Sequence, residues 1–302
     1  MEFSGMTITG GVSIVPPPPP ANKAIFGYGQ GPISVTNLVS TTGVVAANTT
    51  GVGTARSVLA AASYGTDKAI FGYGYNGSTR VSMTNLVANT GVVASDTTGV
   101  GTARYYLSAA GYGTDKAIFA YGTDGSSPYR VNNLVSNTGV VATDTSGTGT
   151  FRDQLAGSGY GTDKAIFGYG TSGGTFLSLT NLVSNTGVVG ADVTGVGTAR
   201  RQLAAAGYGT DKAIFGYGIN SSSVQLSLTN LVSNTGVVAT DTAGVGTARY
   251  SLAASSYGVD TAIFAYANSA SNLVSNTGVV AADTTILGTA RPELAAATYG
   301  YS

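Results

Sequence analysis

The most apolar stretch of the chain, KAIFAYG at residues 116–122, recurs with little change and sets the frame for what surrounds it. In the unit that starts at Thr102, apolar runs alternate with turn residues. ARYYLSAAGYG opens the unit, with Arg104 at its head and small Ala109, Ala110 and Gly111 inside it. Gly113, Thr114 and Asp115 then suit the special dihedrals of a hairpin. KAIFAYG follows, apolar enough to be covered on both faces. After a variable stretch come NNLVSNT, a stop at Gly139 and VVATDT, before SGTGT leads into the next unit. The pattern predicts four antiparallel strands per unit. Helix is disfavoured, because the Ala-rich pieces are short and Gly, Thr and β-branched residues interrupt them.

The pattern repeats. Arg56, Arg104, Arg152, Arg200, Arg249 and Arg291 mark it at intervals of 48, 48, 48, 49 and 42 residues. A period of this length falls in the range of β-propeller blades. NKAIFGYG at Asn22 is the second half of the hairpin motif, and TYG at Tyr299 is its first half. Joining the two ends completes one unit and hides the edges that an open array would expose. The expected fold is therefore all-β: a six-bladed β-propeller of four-stranded antiparallel blades, closed by a C-terminal strand that completes the first blade. Small residues in the first strand would let six strands crowd around an axis, with Leu59, Leu107, Leu155, Leu203, Leu252 and Leu294 filling the gaps between sheets. The rival is an elongated β-solenoid with two coils of about 24 residues per unit.

Two regions are expected, a leader at 1–21 and the repeat array at 22–302. In the leader, Met6, Ile8, Val12 and Ile14 are spaced as a short strand. Five prolines, Pro16–Pro20, follow. At about 3.1 Å per residue they form a stiff stem roughly 15 Å long. The leader reads either as a loose terminus or as an anchor that docks by strand addition on another protein. It has no basic start and no apolar stretch of signal-peptide type.

The run R-x-x-L-A-A-A-x-Y-G-x-D-K-A-I-F-G-Y-G resembles a kelch-type blade, in which an Arg opens the inner strand and the apolar second strand ends in a glycine pair. Here Gly72, Tyr73 and Gly74 stand in that place, and the usual late Trp is absent. Phrases such as NLVSNTGVVATDT, with a GMTITGG leader before prolines, are similar to tandem-repeat virion proteins of tailed phages of aquatic bacteria. That resemblance implies a structural or interaction module on a virion surface, as capsid decoration or tail component. Residues 1–20 would be held by a capsid or tail protein, with adhesion to host glycans as a further role. The alternative is a carbohydrate-binding propeller lectin outside any virion.

Composition narrows the chemistry. Net charge is zero and only 9% of residues are charged, so no basic surface for nucleic acid is expected. No apolar run is long enough to insert in a membrane. The chain has no Cys, His or Trp. No cofactor or metal is expected, and copper-radical chemistry lacks its ligands. Of 28 charged residues, 21 belong to the repeated framework, including a fourth-strand set of Asp96, Asp144, Asp192, Asp241 and Asp283. A catalytic site needs an asymmetric set of groups, so the framework Arg and Asp are expected to pair or bond between neighbouring blades. A rival is a ring of arginines around an anion at the axis. The remaining charges, Glu2, Arg80, Asp124, Arg130, Asp153, Arg201 and Glu293, assemble no evident acid–base pair, and no enzyme is expected. A hydrolase or lyase would have to work through Asp153 or Glu293.

The positions that vary between units are the candidates for recognition, because binding concentrates on loops carried by a rigid scaffold. They are the loops between second and third strands and the two residues after each framework Arg. From these, Tyr105, Tyr106, Tyr129, Arg130, Arg201 and Tyr250 form the expected ligand-binding set, offering aromatic faces and planar donors to a glycan. Met6, Ile8, Val12 and Ile14 form the expected anchoring set.

Overall fold

A computed structural model describes residues 22–301; the anchoring residues Met6, Ile8, Val12 and Ile14 and the run Pro16–Pro20 lie outside the described residues. Among the described residues all regular structure is β, in eight antiparallel sheets. Six of these are the repeated units and two are short loop ribbons.

The second unit shows the plan. Inner strand Ala60–Tyr64 pairs with middle strand Lys68–Gly72, which pairs with outer strand Thr84–Val87. The register sets Ala62 against Ile70 and Ile70 against Leu86. Gly65 turns the hairpin at a φ of 59°, a conformation without cost for glycine. Ala69, Ile70 and Phe71 are wholly buried, since both faces of the middle strand pack against neighbouring sheets. Gly72 has no room for a side chain: a Cβ there would lie 2.7 Å from the Phe119 ring of the next unit.

The end pieces join as expected. Ala295–Tyr301 pairs with Asn22–Gly27, which pairs with Thr36–Val39. Ile25 faces both Ala297 and Leu38. The inner strands form a circuit. Ala60–Tyr64 lies against Ser108–Tyr112, and the series continues through Ala156–Tyr160, Ala204–Tyr208 and Ala253–Tyr257 to Ala295–Tyr301, which returns to Ala60–Tyr64.

Three sets of backbone hydrogen bonds follow the same circuit. In the hairpins, Gly65 donates to Asp115, Gly113 to Asp163, Gly161 to Asp211 and Gly209 to Asp260. Gly258 then donates to Asn22, and Gly300 to Asp67, closing the set. At the opposite end of the inner strands, Tyr106 donates to Val58, Gln154 to Tyr106, Gln202 to Gln154, Ser251 to Gln202, Glu293 to Ser251 and Val58 to Glu293. Between them, Gly74 donates to the Arg104 carbonyl and each other unit repeats the bond. The apolar core is correspondingly split into six clusters, one between each pair of neighbouring sheets. The leucines fill these gaps: Leu107 packs with Ala62 and Ile70 of the preceding unit.

The expected fourth strand is largely missing. Only two sheets have four strands, ending in Thr145–Ser146 and Thr284–Thr285. In the other units the segment is reduced to bridges such as Thr84 with Thr97 and Val87 with Val93. Its Asp side chain binds back to the chain whether or not that strand forms. Asp144 accepts from the Asn133 amide at 2.9 Å and from the Thr102 backbone N–H at 3.0 Å, and Asp96, Asp192, Asp241 and Asp283 do the same.

The framework arginines bond between units through their main-chain carbonyls, but their side chains depart from expectation. Arg104 is fully buried and bonds inside its own unit, donating Nε to the Tyr121 carbonyl at 2.7 Å and Nη2 to Asn133 Oδ1 at 2.8 Å. Asparagine therefore stands between Arg and Asp. Only Arg200–Asp241 and Arg249–Asp283 come within ion-pair range, at 3.8 and 3.6 Å, again within one unit. The side-chain contact between units is aromatic. Arg104 lies 4.3 Å over the Tyr73 ring of the preceding unit, and Tyr73 meets Phe119 edge-on at 5.1 Å. None of these arginines lines an axial cavity, so they form no anion ring there.

Candidate functional site

The two ends of the circuit differ in kind. The hairpin end is nearly the same in every unit. It surrounds a cavity of about 320 Å³ lined by small inner-strand residues such as Ala61 and Ser63, with Thr66, Thr114 and Lys116 at its border. Asn22, where the leader joins, borders it too. The opposite end carries the variable positions. In four units the residue after the framework Arg pairs with the start of a variable loop: Ser57 with Tyr75, Tyr105 with Thr123, Asp153 with Thr171 and Arg201 with Ile219.

The second residue after each Arg turns to the axis. Val58, Tyr106, Gln154, Gln202, Ser251 and Glu293 line a cavity of about 80 Å³, with the six framework leucines beside them. Their φ values lie between 50° and 60°, a region where side-chain-bearing residues are uncommon and strained. The circuit of backbone hydrogen bonds through these same residues holds them there. The leucines are about 6% exposed, so the cavity has an apolar wall beneath a polar rim.

The rim side chains are ordered by one another. Tyr106 Oη donates to Glu293 Oε1 at 3.1 Å, Gln202 Nε2 to Ser251 Oγ at 3.0 Å and Gln154 Nε2 to Asp153 Oδ1 at 3.0 Å. Burial raises the Glu293 carboxyl above its ordinary pKa, opposed by the Tyr106 hydrogen bond. Burial likewise raises Asp153, against the Gln154 hydrogen bond and the Arg201 charge. Tyr106 is pushed well above the usual phenol range by burial and by the charge and hydrogen bond of Glu293. Of the two carboxyls, only that of Glu293 belongs to a residue lining the cavity.

The expected ligand-binding set is only partly brought together. Tyr105 meets Tyr106 at 5.1 Å and Tyr75 at 6.1 Å, both rings tilted, giving an aromatic row at the rim. Arg201 lies close enough to act on both Tyr106 and Asp153 and sits 4.9 Å over Phe176. Tyr129 is engaged elsewhere, donating to Asp124 at 2.8 Å. That bond, with the Ser127 and Ser126 backbone N–H groups ahead of it, lowers Asp124 to about 2. Arg130 stacks on Phe151 at 4.4 Å. Tyr250 is exposed and does not border the cavity. Gln154, Gln202, Ser251 and Glu293 were absent from the expected set. The signal for them was position: each stands two residues after a framework Arg, where no two units need agree. Among the described residues no group of three acidic side chains gathers as a metal cage.

The chain matches no protein-family model and no curated protein.

Proposed function

We propose that the chain is a six-bladed, kelch-like β-propeller that works as a non-catalytic presentation module on the surface of a phage virion. Residues 1–20 attach it to a capsid or tail protein, and the variable end faces outward to meet the host surface. One observation carries this reading: the leader joins at Asn22 on the uniform hairpin end, while every variable loop lies at the other end. A module built this way holds its recognition surface away from its attachment. The three closed sets of intersheet hydrogen bonds favour the propeller over the solenoid, because a linear stack has two free ends. A single carboxyl at the axial cavity favours binding over hydrolysis, since glycoside cleavage uses two.

The test is incorporation. A chain lacking residues 1–20 should fold, with an unchanged thermal transition, yet fail to enter particles. Normal incorporation of the shortened chain would remove the attachment role. The second reading, a lectin outside any virion, is favoured by the aromatic row at the rim and predicts glycan binding without particle association.

A further inference from the structure

We infer that the axial cavity at the variable end is a binding site for the acetamido group of an N-acetylated hexosamine. The inference rests on the reading that this end recognises a glycan, and it names the sugar class. The cavity has three features in one small volume. Its wall is leucine, including Leu203 and Leu294. Its rim holds one carboxyl acceptor, Glu293, and the amide donors of Gln154 and Gln202. At about 80 Å³ it takes a small substituent and excludes a sugar ring.

An acetamido group answers each feature. Its methyl meets the leucine wall, its N–H donates to the Glu293 carboxyl and its carbonyl accepts from a glutamine amide. Both polar atoms are then paired, as burial demands. A plain hydroxyl leaves the leucines without an apolar partner. An ammonium, as in an unacetylated hexosamine, must shed its water against that same wall. Glu293 accepts from Tyr106 at 3.1 Å through Oε1, so Oε2 is free to receive the ligand N–H. The sugar ring stays outside, where Tyr105 and Tyr75 extend the rim with aromatic faces. Glu293 is half-buried, and the partial desolvation that raises its pKa also strengthens a ligand hydrogen bond to it.

The full chain is titrated calorimetrically with N-acetylglucosamine, glucose and glucosamine, and again as Glu293→Gln and Tyr106→Phe, with thermal melts to verify folding. The expected result is saturable binding of N-acetylglucosamine alone. Glu293→Gln should weaken it about tenfold, the loss of one charge-assisted hydrogen bond. Tyr106→Phe, which removes the hydrogen bond that orders Glu293 but keeps its carboxyl, should weaken binding by a smaller factor. Equal binding of glucose overturns the acetamido assignment and leaves glycan recognition standing. Binding of all three sugars to Glu293→Gln as to the parent moves the site away from the axis and overturns the inference. No binding of any sugar overturns it too, while attachment is judged separately by particle incorporation.

Discussion

Arg291 Nε donates to the Tyr28 carbonyl at 2.7 Å, although 263 residues separate the two. The same guanidinium reaches Asn37 Oδ1 at 2.6 Å through Nη2 and lies 4.5 Å over the Tyr266 ring. One side chain thus ties the C-terminal piece to the first unit and to the last. Arg291→Met keeps the bulk but leaves two buried acceptors without a donor. The expected loss is about 3 kcal/mol, read as a lower urea midpoint at unchanged slope. Arg104→Met should lose a similar amount, because its bonds are the same. A seam that tolerated Arg291→Met when Arg104→Met did not would mean that closure contributes little.

Removing the closing strand tests the same feature from the other side. A chain ending at Glu293 leaves the middle strand Asn22–Gly27 with a bare edge, where wholly buried Ile25 and Phe26 lose their cover. Unpaired apolar edges recruit strands from other molecules. The shortened chain should associate in a concentration-dependent way in size-exclusion chromatography. A synthetic peptide covering 294–302 should return it to a monomer.

The six buried tyrosines that follow the middle strands separate into two groups. Tyr73 Oη donates to the Val100 carbonyl at 3.0 Å, and Tyr28, Tyr169 and Tyr217 do likewise. Tyr121 and Tyr266 are buried with no hydroxyl partner. In their units Ala120 and Ala265 replace the glycine before the tyrosine, and Thr148 and Leu287 replace the accepting valine. The Tyr121–Phe167 rings stand 5.6 Å apart, against 5.1 Å for Tyr73–Phe119. Tyr73→Phe should therefore cost about 1 kcal/mol, whereas Tyr121→Phe should cost nothing or stabilise. Thermal melts of the two variants distinguish them.

Much of this architecture could be read from the chain because a repeat states each local choice six times. The hairpin at Gly113–Asp115, the buried KAIF run and the junction of Tyr299 with Asn22 all follow from turn chemistry and apolar pattern. The fourth strand misled because VVATDT has strand-like composition, yet in most units the segment meets its neighbour only through isolated bridges. Asn133 was the hidden partner, since one neutral amide inside NNLV gives no sign that it will mediate between Arg104 and Asp144. The axial rim was half legible. Variability pointed to Tyr105, Tyr106 and Arg201, but which residue of each pair faces the axis depends on the φ near 55° shared by all six positions. No residue type in that set requires such a φ, so the sequence carried no mark of it.

Acid and base should act on this fold in opposite ways through two sets of carboxyls. In Asp96, Asp144, Asp192, Asp241 and Asp283, burial alone would raise the pKa, but hydrogen bonds from a Thr and an Asn outweigh it and the net shift is downward. A depressed folded pKa adds stability above the unfolded value, near 3.9, that is lost as pH falls through the folded value. Glu293 and Asp153 are shifted up by burial. Their contribution is present below the unfolded values, near 4, and disappears as pH rises through the folded ones. Stability should thus climb to about pH 4, decline gently above it, and stay level until tyrosines ionise in the unfolded chain near pH 10. With no His or Cys in the chain, no other side chain has its ordinary pKa in the neutral range. Urea midpoints followed by tyrosine fluorescence from pH 2 to about 10 give the curve. Asp144→Asn should reduce the acid limb by one share among several lowered carboxyls, Asp124 included, and Glu293→Gln should reduce the decline above pH 4. A midpoint that rose steadily from pH 4 to 7 would contradict the upward shift of the axial carboxyls.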